Sequence, residues 1–474
     1  MNDSKLQLGL SFDDVLLVPH YSDIPSRKDI SLRAQFSRRI TLNIPIVSAN
    51  MDTVTESGMA VALARAGGIG VIHRFLSIDE QVREVKKVKR SENIIIEDPV
   101  TIHKEATLKE AYVVMKAQGV SSLLVTSKNN MLEGILTARD VRFKTDMSAR
   151  VSDLMTPRER LWVGKKGISQ TGAMRIIDQH KIEKLPIVSG KRLVGLMTAS
   201  DFIKIREHAS AAKDKSGKLI VGAAVGVKDG LERAEALVKA GVNALVIDIA
   251  HGHHARSIEL LRALKRKFKH TDVVAGNVVT VRAVSDLIRA GADAIKVGIG
   301  PGAACSTRIV AGAGVPQITA VMECSEAARK HKIPVIADGG IKNSGDVAKA
   351  IGAGASSVMI GNLFSGSFES PGEYYIEDGG AYKMYRGLAS RDASIDRSVR
   401  EGSGERENRT PEGVGYRVTY KGEVKRIVQN LVDGLQSGMS YSGARTISEF
   451  WKKAEFVRIT EAGMKESVPR SSQQ

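Results

Sequence analysis

The chain has 474 residues with 42% hydrophobic and 26% charged side chains, which is ordinary for a globular protein of about two to four domains. Its formal net charge of +17 favours anionic partners, and phosphorylated small molecules satisfy this charge as well as nucleic acid does. Aromatic residues make up only 4%, which argues against base-stacking surfaces for single-stranded nucleic acid. Two cysteines cannot form a disulfide framework, and the sequence has neither a signal-peptide pattern nor about 18 consecutive apolar residues. We therefore expect a cytoplasmic protein without a membrane span.

Eight apolar segments predict β-strands that are buried on both faces, and amphipathic helical patterns separate them. Their residues are 45–50, 68–74, 220–226, 244–248, 272–277, 294–298, 334–338 and 357–361. Eight strands that alternate with helices predict an α/β fold, the (β/α)8 TIM barrel, whose catalytic residues lie on loops at the carboxyl ends of the strands. A doubly wound open sheet would produce a similar pattern, and periodicity alone leaves that alternative open.

Residues 92–207 form an insertion between the second and third predicted strands, and this insertion contains an internal repeat. Residues 134–141 reappear as residues 195–202, and a helical pattern followed by a strand precedes each copy. Repetition of one supersecondary unit predicts two copies that pack on each other. Each copy carries a Gly-x-x-Thr-x-x-Asp pattern, whose threonine and aspartate are also suited to capping a helix.

A glycine-rich segment, residues 298–308, follows the sixth predicted strand and carries Cys305. Its glycines allow positive φ angles and a close approach of the backbone to a ligand. A thiolate at this place would be a good nucleophile in surroundings that favour the charged form. Residue chemistry alone leaves open the alternative of a structural turn that happens to contain a cysteine. The other cysteine, Cys324, is expected to pack within the helix after the sixth strand.

Five motifs in a fixed order, together with the eight-strand pattern, resemble the IMP dehydrogenase/GMP reductase family. The motifs are residues 48–54 (SANMDTV), the Cys305 segment, and residues 337–341 (ADGGI), 385–387 (YRG) and 411–413 (PEG). A glycine-rich loop alone would be weak evidence, but five ordered motifs on this pattern are specific.

The resemblance covers residues 8–90 and 215–465, and the insertion is similar to paired CBS modules. It implies a barrel in two parts, with a tandem CBS (Bateman) regulatory domain inserted between strands 2 and 3 and a mobile flap in the second part. These are residues 1–91, 92–207 and 208–474, with the flap at about 388–410. It also implies a homotetramer, which ligands of the CBS modules could pair into octamers.

The resemblance implies a covalent mechanism in which Cys305 attacks C2 of a purine nucleotide monophosphate and forms a thioimidate. Thr307 and Glu412 match the pair that relays a proton to the leaving amino group. Asp338 would bind the ribose hydroxyls, since a carboxylate can accept two hydrogen bonds from a cis-diol. The other implied substrate-binding residues are Ser48, Met51, Gly340, Gly361, Asn362, Tyr385, Gly387, Leu388, Arg409 and Gly413. The residues implied for the nicotinamide cofactor are Asn50, Arg74, Asp248, Ile249, Ala250 and Asn277.

Further ligand sites are implied by the same resemblance. The backbone carbonyls of Gly300, Gly302 and Cys305 resemble a site for a monovalent cation such as K⁺, which Glu461 and Gly463 of a neighbouring subunit could complete. In the CBS pair, the residues that would bind an adenine or guanine nucleotide are Thr137, Asp140, Thr198 and Asp201. A cluster of histidines is not expected to bind a metal, because no acidic or cysteine ligand accompanies it nearby. This cluster consists of His251, His253 and His254.

The family contains two reactions, and the flap favours the reductase. IMP dehydrogenase oxidises IMP with NAD and then hydrolyses the intermediate, for which its flap supplies an Arg-Tyr pair. The nearest match here is Asp396-Arg397-Ser398, and no tyrosine occurs between Tyr385 and Tyr416. We therefore expect a GMP reductase, which releases ammonia from GMP and reduces the same intermediate with NADPH.

Other positions divide between the two enzymes. Residues 248–252, 275–280 and 321–324 are similar to the reductases, and Arg409 matches a reductase arginine that contacts the guanine nucleotide. The CBS insertion is more typical of dehydrogenases, as are residues 68–74 and 461–467, while Ala303 and Ser306 replace a serine and a threonine that both enzymes usually have. An NAD-dependent IMP dehydrogenase therefore remains the alternative, and a catalytically impaired nucleotide sensor is a second one.

Overall fold

The computed structural model describes residues 6–91, 95, 96, 98–199, 202, 208–401 and 410–469. The chain forms two compact units, one made of Met1–Ser91 with Ser210–Gln474 and the other of Glu92–Ala209. Within the described residues, none of the helices has the length and apolar character needed to cross a membrane.

The first unit contains a closed barrel of eight parallel strands, and this confirms the predicted (β/α)8 TIM barrel. In chain order the strands are β1 (Ile46–Ser48), β2 (Ile69–Ile72), β3 (Gly222–Val225), β4 (Ala244–Ile247), β5 (Asp272–Val278), β6 (Ala294–Val297), β7 (Val335–Asp338) and β8 (Ser357–Ile360). Each strand pairs with the next, and β8 closes the sheet by pairing with β1, where Ile360 lies opposite Ser48. Because the closed sheet has no edge, the open-sheet alternative is excluded.

Helices follow the strands and cover the outside of the barrel. They are α1 (Ser57–Ala66), α2 (Ile78–Arg90), α3 (Gly230–Lys239), α4 (Ala255–Lys267), α5 (Val281–Arg289), α6 (Gln317–Arg329), α7 (Ser344–Gly352) and α8 (Val424–Tyr441). Side-chain caps explain where several begin: before α2, the Ser77 hydroxyl accepts a hydrogen bond from the Glu80 N–H at 3.2 Å. Cys324 is fully buried in α6, as the sequence predicts.

The barrel interior is filled by alternate residues of the strands, which form one apolar cluster. A short hairpin, Ala34–Gln35 paired with Thr41–Leu42, closes the amino-terminal end of the barrel. Its Phe36 is fully buried in the same cluster. The neighbouring Ser37 hydroxyl donates to the Asp272 carboxylate at the start of β5, at 2.6 Å, and this holds the hairpin in place.

Other elements of this unit surround the barrel. A three-stranded antiparallel sheet lies between β8 and α8 in the sequence and consists of Tyr375–Glu377, Gly380–Arg386 and Gly415–Thr419. An amino-terminal strand, Val15–Leu17, pairs with Phe456–Arg458 near the carboxyl terminus. The remaining helices are Phe12–Asp14, Arg27–Asp29, Thr307–Val310, Asn362–Ser365, Arg391–Glu401, Ile447–Lys453 and Glu461–Glu466.

The second unit contains two copies of an antiparallel strand pair, which correspond to the sequence repeat. The first copy pairs Ser122–Thr126 with Leu132–Thr137, and the second pairs Lys184–Ser189 with Arg192–Thr198. Apolar residues of both copies, such as Leu124 and Leu193, share one buried cluster. The other elements are Thr101–His103, Leu108–Gln118, Ala138–Val141, Val151–Leu154, Thr156–Pro157, Arg158–Arg160, Gly164–Lys165 and Gln170–His180.

Phe36→Ala is expected to lower the free energy of unfolding of the barrel unit by about 3–5 kcal/mol, because it leaves a cavity at the closed end of the barrel. Phe368→Ala is the matched control: this phenylalanine belongs to the same unit but is 64% exposed, and we expect a change below about 0.5 kcal/mol. Denaturant titration followed by circular dichroism measures both. Equal effects of the two substitutions would contradict the role of the buried Phe36 ring in filling the amino-terminal end of the barrel.

Candidate active site

The loop after β6 carries Cys305 at the carboxyl end of the barrel, with its side chain exposed. Two main-chain hydrogen bonds tie this loop to the segment around Gly413. The Ser306 N–H donates to the Glu412 carbonyl at 3.0 Å, and the Val414 N–H donates to the Ala304 carbonyl at 3.0 Å. Main-chain hydrogen bonds therefore hold the cysteine loop against the segment that contains residues 411–413.

Three side chains form a hydrogen-bonded chain from the thiol to a carboxylate. The Cys305 Sγ donates to Thr307 Oγ1 at 3.3 Å, and Thr307 Oγ1 donates to Glu412 Oε2 at 2.8 Å. A hydroxyl that accepts from one group and donates to the next can pass a proton between them. This arrangement can remove the thiol proton and return a proton to a leaving group, which are the two tasks of covalent catalysis by a cysteine.

Asp338 lies at the end of β7, and its carboxylate is bound from inside the barrel. Its Oδ2 accepts hydrogen bonds from Lys296 Nζ at 2.8 Å and from Asn277 Nδ2 at 2.9 Å. Lys296 Nζ also donates to Asn277 Oδ1, so the three side chains form a closed triangle. The sequence analysis selected Asp338 and Asn277 but missed Lys296, although a lysine within an apolar strand is an unusual feature that could have revealed it.

The glycines at the ends of β6 and β7 let two loops pass close together. Gly298 has φ of +147°, and a Cβ at this position would lie 2.1 Å from the Asp338 carbonyl oxygen. Gly340 has φ of +86° and packs against the ring of Phe12. Side chains would therefore be excluded at both positions; Gly298 is buried, whereas Gly340 is half-buried, so a ligand could approach its backbone.

Tyr385 lies near several of the other predicted substrate-binding residues. Its hydroxyl lies 3.7 Å from Met51 Sδ and faces Gly361, and its side chain is almost fully buried. Burial raises the pKa of Tyr385 far above its usual value, so its phenol is neutral and can donate a hydrogen bond. Next to it, Asn362 Nδ2 donates to the Tyr416 hydroxyl at 2.9 Å.

The remaining predicted substrate-binding residues differ in their surroundings. The Ser48 hydroxyl is fully buried and accepts a hydrogen bond from Thr55 Oγ1 at 2.8 Å, so this structure directs it to the protein interior. The Gly387 N–H donates to the Val414 carbonyl at 3.0 Å, and Leu388 follows it half-buried. Arg409 lies outside the described residues.

The residues predicted for the nicotinamide cofactor lie at the carboxyl ends of neighbouring strands. Arg74, after β2, forms an ion pair with Asp248, after β4, with 2.8 Å between Nε and Oδ2. Asn50 is buried after β1, and the Ile249 carbonyl faces the Asn277 N–H at 3.5 Å. Ala250 follows Ile249 and is exposed.

An arginine that the sequence analysis did not select joins the flap to the barrel. Arg386 contacts the Asp52 carboxylate through Nε at 2.9 Å and Nη2 at 2.6 Å, and its Nη1 lies 2.6 Å from Asp396 Oδ2. Asp396 belongs to the helix Arg391–Glu401, which forms the described part of the flap. The aspartate of the Asp-Arg-Ser sequence is therefore already engaged in an ion pair.

The residues that the resemblance implies for the monovalent cation have local partners in this structure. In the Cys305 loop, the Gly302 carbonyl accepts a hydrogen bond from the Cys305 N–H at 3.0 Å, and Gly300 packs against the Arg308 side chain. At the carboxyl terminus, the Gly463 N–H donates to Thr460 Oγ1 at 3.2 Å, and Glu461 is exposed.

Two histidines of the predicted cluster form hydrogen bonds with neighbouring residues. His253 pairs with Asp286 at 2.8 Å, and His254 caps α4 by accepting the Arg256 N–H at 3.2 Å. In the described part of the chain, no group of three or more His, Cys, Asp or Glu side chains is arranged to hold a metal ion.

In the second unit, the residues predicted to bind a regulatory nucleotide include a helix cap. Thr137 Oγ1 donates to Asp140 Oδ2 at 2.7 Å and accepts the Asp140 N–H at 3.4 Å, at the start of the helix Ala138–Val141. This is the capping arrangement that the sequence analysis left open as an alternative. Thr198 ends the strand of the second copy, and Asp201 lies outside the described residues.

The fold and this geometry place an exposed cysteine beside a hydroxyl–carboxylate pair at the carboxyl end of a parallel barrel. Residues 9–470 match the family model for the IMP dehydrogenase / GMP reductase domain. The chain belongs to this family and is an oxidoreductase.

Relatives of both kinds are similar over nearly the whole chain. Inosine-5′-monophosphate dehydrogenase from Aquifex aeolicus is 51% identical over 98% of this chain and 96% of its own. The same enzyme from Nitrosopumilus maritimus is 48% identical over 97% and 98%. Among solved structures, GMP reductase from Trypanosoma brucei in complex with guanosine 5′-monophosphate has a TM-score of 0.89 and 44% identity, with 99% of each chain covered.

The two thiols are expected to differ in reactivity towards iodoacetamide. Burial raises the pKa of Cys324 to about 12, so at about pH 8 it is protonated as well as inaccessible, whereas Cys305 is exposed. Mass spectrometry of the native protein should therefore find one modified thiol per chain. Cys305→Ala should abolish this modification and Cys324→Ala should leave it unchanged; labelling of Cys324 in the native protein would contradict the burial.

Proposed function

We propose that the chain is a GMP reductase, which converts GMP, NADPH and two protons into IMP, NADP⁺ and an ammonium ion. The observation that carries this proposal is the flap, which lacks the tyrosine that a dehydrogenase uses to activate water. The residue at the position of that tyrosine is Ser398, and Asp396, two residues before it, forms an ion pair with Arg386 at 2.6 Å.

The Cys305–Thr307–Glu412 chain supports the first half of the reaction. The sulfur forms a bond to C2 of the purine, and the thiol proton passes through the Thr307 hydroxyl to Glu412, over 3.3 and 2.8 Å. Glu412 can then protonate the amino group on C2, which leaves as ammonia and produces the thioimidate. The same three side chains thus serve attack and departure.

The second half needs a hydride, which NADPH supplies to C2 when it is bound. When the hydride arrives, the carbon–sulfur bond breaks and Cys305 regains its electron pair, which completes IMP. Among the side chains expected to hold the cofactor, the Arg74–Asp248 pair offers charged hydrogen-bonding groups at the strand ends, whereas both N–H groups of the Asn277 amide already donate to the Gly298 carbonyl and to Asp338. The Arg74 side chain is 26% exposed and thus accessible to a ligand.

Binding of the nucleotide would use the rest of the rim. Asp338 would accept the ribose hydroxyls, and the 5′-phosphate would bind near Gly340 and Gly361, with the neutral Tyr385 phenol as a donor. Ala303 removes one hydroxyl that the family usually directs to the phosphate, which would weaken binding by about 1–3 kcal/mol if no other donor replaces it.

A dehydrogenase that oxidises IMP to XMP with NAD is the second candidate, because the relatives at 51% and 48% identity carry that name. Glu412 and Thr307 do not discriminate between the two reactions, since the departure of ammonia and the attack of water both need a proton carrier.

A further part of the proposal concerns the second unit, which would bind adenine or guanine nucleotides as a CBS pair. A homotetramer and a K⁺ ion at the cysteine loop are likewise proposed from the family resemblance.

The direction of the reaction can be tested by absorbance at 340 nm, where only reduced nicotinamide cofactors absorb. We expect pure protein to consume NADPH in the presence of GMP and to produce no NADH from IMP and NAD. NADH formation in the second mixture alone would establish the dehydrogenase. If both mixtures remain inactive while nucleotide binding is retained, the sensor alternative replaces the proposal.

Glu412→Gln is expected to lower kcat for GMP reduction by about 10²–10⁴-fold, because an amide cannot take up or deliver the proton. Glu84→Gln is the matched control, since this buried glutamate accepts a hydrogen bond from the Ser57 N–H at the start of α1, at 2.8 Å, on the outer helices of the barrel. Steady-state kinetics should find its kcat close to wild type. A Glu412→Gln enzyme within about twofold of wild type would contradict the proton relay.

A further inference from the structure

Lys296 is a buried cation inside the barrel that the proposed mechanism does not use. It lies in β6 two residues after Ala294, which belongs to the apolar cluster of the interior, and the alternation of strand side chains directs both inward. The Lys296 side chain is only 3% exposed. Gly276 in β5 makes room for it, because a Cβ there would lie 2.8 Å from Lys296 Cβ. The barrel is therefore built to hold this lysine.

A buried ammonium is costly unless its hydrogen-bonding capacity is used. Lys296 donates to Asp338 Oδ2 at 2.8 Å and to Asn277 Oδ1, while the Asn277 amide returns to Asp338 Oδ2 at 2.9 Å. Asn277 is itself fixed, since its amide nitrogen donates to the Gly298 carbonyl at 2.7 Å. The carboxylate of Asp338 is thus held by two donors on one oxygen.

This arrangement determines which part of Asp338 faces a ligand. Among the described residues, every hydrogen bond to its carboxylate reaches Oδ2, from the interior side. The main chain of Asp338 is held as well, because Gln317 Nε2 donates to its carbonyl at 3.2 Å. The Asp338 side chain is 21% exposed, and because both of these donors bind Oδ2, Oδ1 is the oxygen left to accept hydrogen bonds from a ligand.

We propose that Lys296 is a positioning residue for Asp338 and that it makes the nucleotide site selective for ribonucleotides over 2′-deoxyribonucleotides. The inference rests on the proposed binding of a purine nucleotide at Asp338, but it does not depend on the direction of the reaction. A carboxylate that cannot rotate accepts the ribose hydroxyls in one geometry only. When the 2′-hydroxyl is missing, the charged oxygen loses a partner and cannot turn to find another.

Removal of Lys296 would release this constraint. In Lys296→Met, Oδ2 of Asp338 loses its cationic partner and the carboxylate can rotate. The site should then discriminate poorly between a ribonucleotide and its 2′-deoxy analogue. Lys296→Arg keeps a cation and hydrogen-bond donors at the position and should preserve the discrimination. Lys89→Met is the matched control, because Lys89 is also buried, with an 8% exposed side chain, and is paired with Asp214 at 2.6 Å near the end of α2.

The test measures equilibrium binding of GMP and 2′-deoxy-GMP by isothermal titration calorimetry, without cofactor. We expect wild type and Lys89→Met to prefer GMP by about 10–100-fold, as expected for the loss of a hydrogen bond to a charged group. Lys296→Met should reduce this preference below about threefold, mainly through weaker GMP binding, and Lys296→Arg should restore at least half of it. In steady-state assays, the KM for the nucleotide should rise more than kcat falls.

Each outcome decides the inference. An unchanged preference in Lys296→Met, a wild type that does not discriminate, or an equal loss in Lys89→Met would overturn it. If Lys296→Met does not fold, Lys296→Gln is measured against the same criteria. If wild type oxidises IMP instead of reducing GMP, the proposed function fails, and the preference is then measured with IMP and 2′-deoxy-IMP, so the two failures remain distinguishable.

Discussion

The hydrogen bonds between the Cys305 loop and residues 412–414 are the contact on which the rest of the active site depends. The loop follows β6, whereas residues 412–414 lie between β8 and α8, and closure of the barrel alone would not bring them together. Main-chain bonds at 3.0 Å join Ser306 to Glu412 and Val414 to Ala304, and they set the distance at which the Thr307 hydroxyl reaches Glu412. Because these are main-chain bonds, the replacements at Ala303 and Ser306 leave the attachment intact. Ala303 and Ser306 therefore differ from the usual family residues only in what their side chains can contact.

The barrel interior changes from apolar to charged along its axis, and Lys296 marks the change. Towards the amino-terminal end of the barrel, the interior is a cluster of aliphatic side chains that ends at the buried ring of Phe36. Towards the carboxyl end lie Asn277 and Asp338, and the Lys296 ammonium donates a hydrogen bond to each of them. In a low-dielectric interior such hydrogen bonds are stronger than in water, and within this triangle both N–H groups and the oxygen of the Asn277 amide are used. Residues expected for the cofactor and for the nucleotide therefore share a single cation.

The sequence predicted the barrel well because its signals are local. Eight apolar runs correspond to the eight strands within a few residues, and the buried position of Cys324 followed from its place in an amphipathic helix. The motif residues are also brought to one rim. What could not be predicted are contacts between residues far apart in the chain, such as Arg386 with Asp52 and Lys296 with Asp338. Their partners are set by the register of strands and loops, which periodicity does not contain.

The flap shows how such a distant contact bears on the chemistry. Arg386 directly follows Tyr385, and its guanidinium binds Asp52 in the SANMDTV motif and Asp396 in the flap helix. The resemblance implies an Arg-Tyr pair in the flap for activation of water, and this chain has Arg397-Ser398 at those two positions, directly after the paired Asp396. In the proposed reductase no water has to be activated, since ammonia leaves with a proton from Glu412 and a hydride completes the product. The ion pair between Arg386 and Asp396 then has a structural role, because it anchors the helix Arg391–Glu401 to the rim of the barrel.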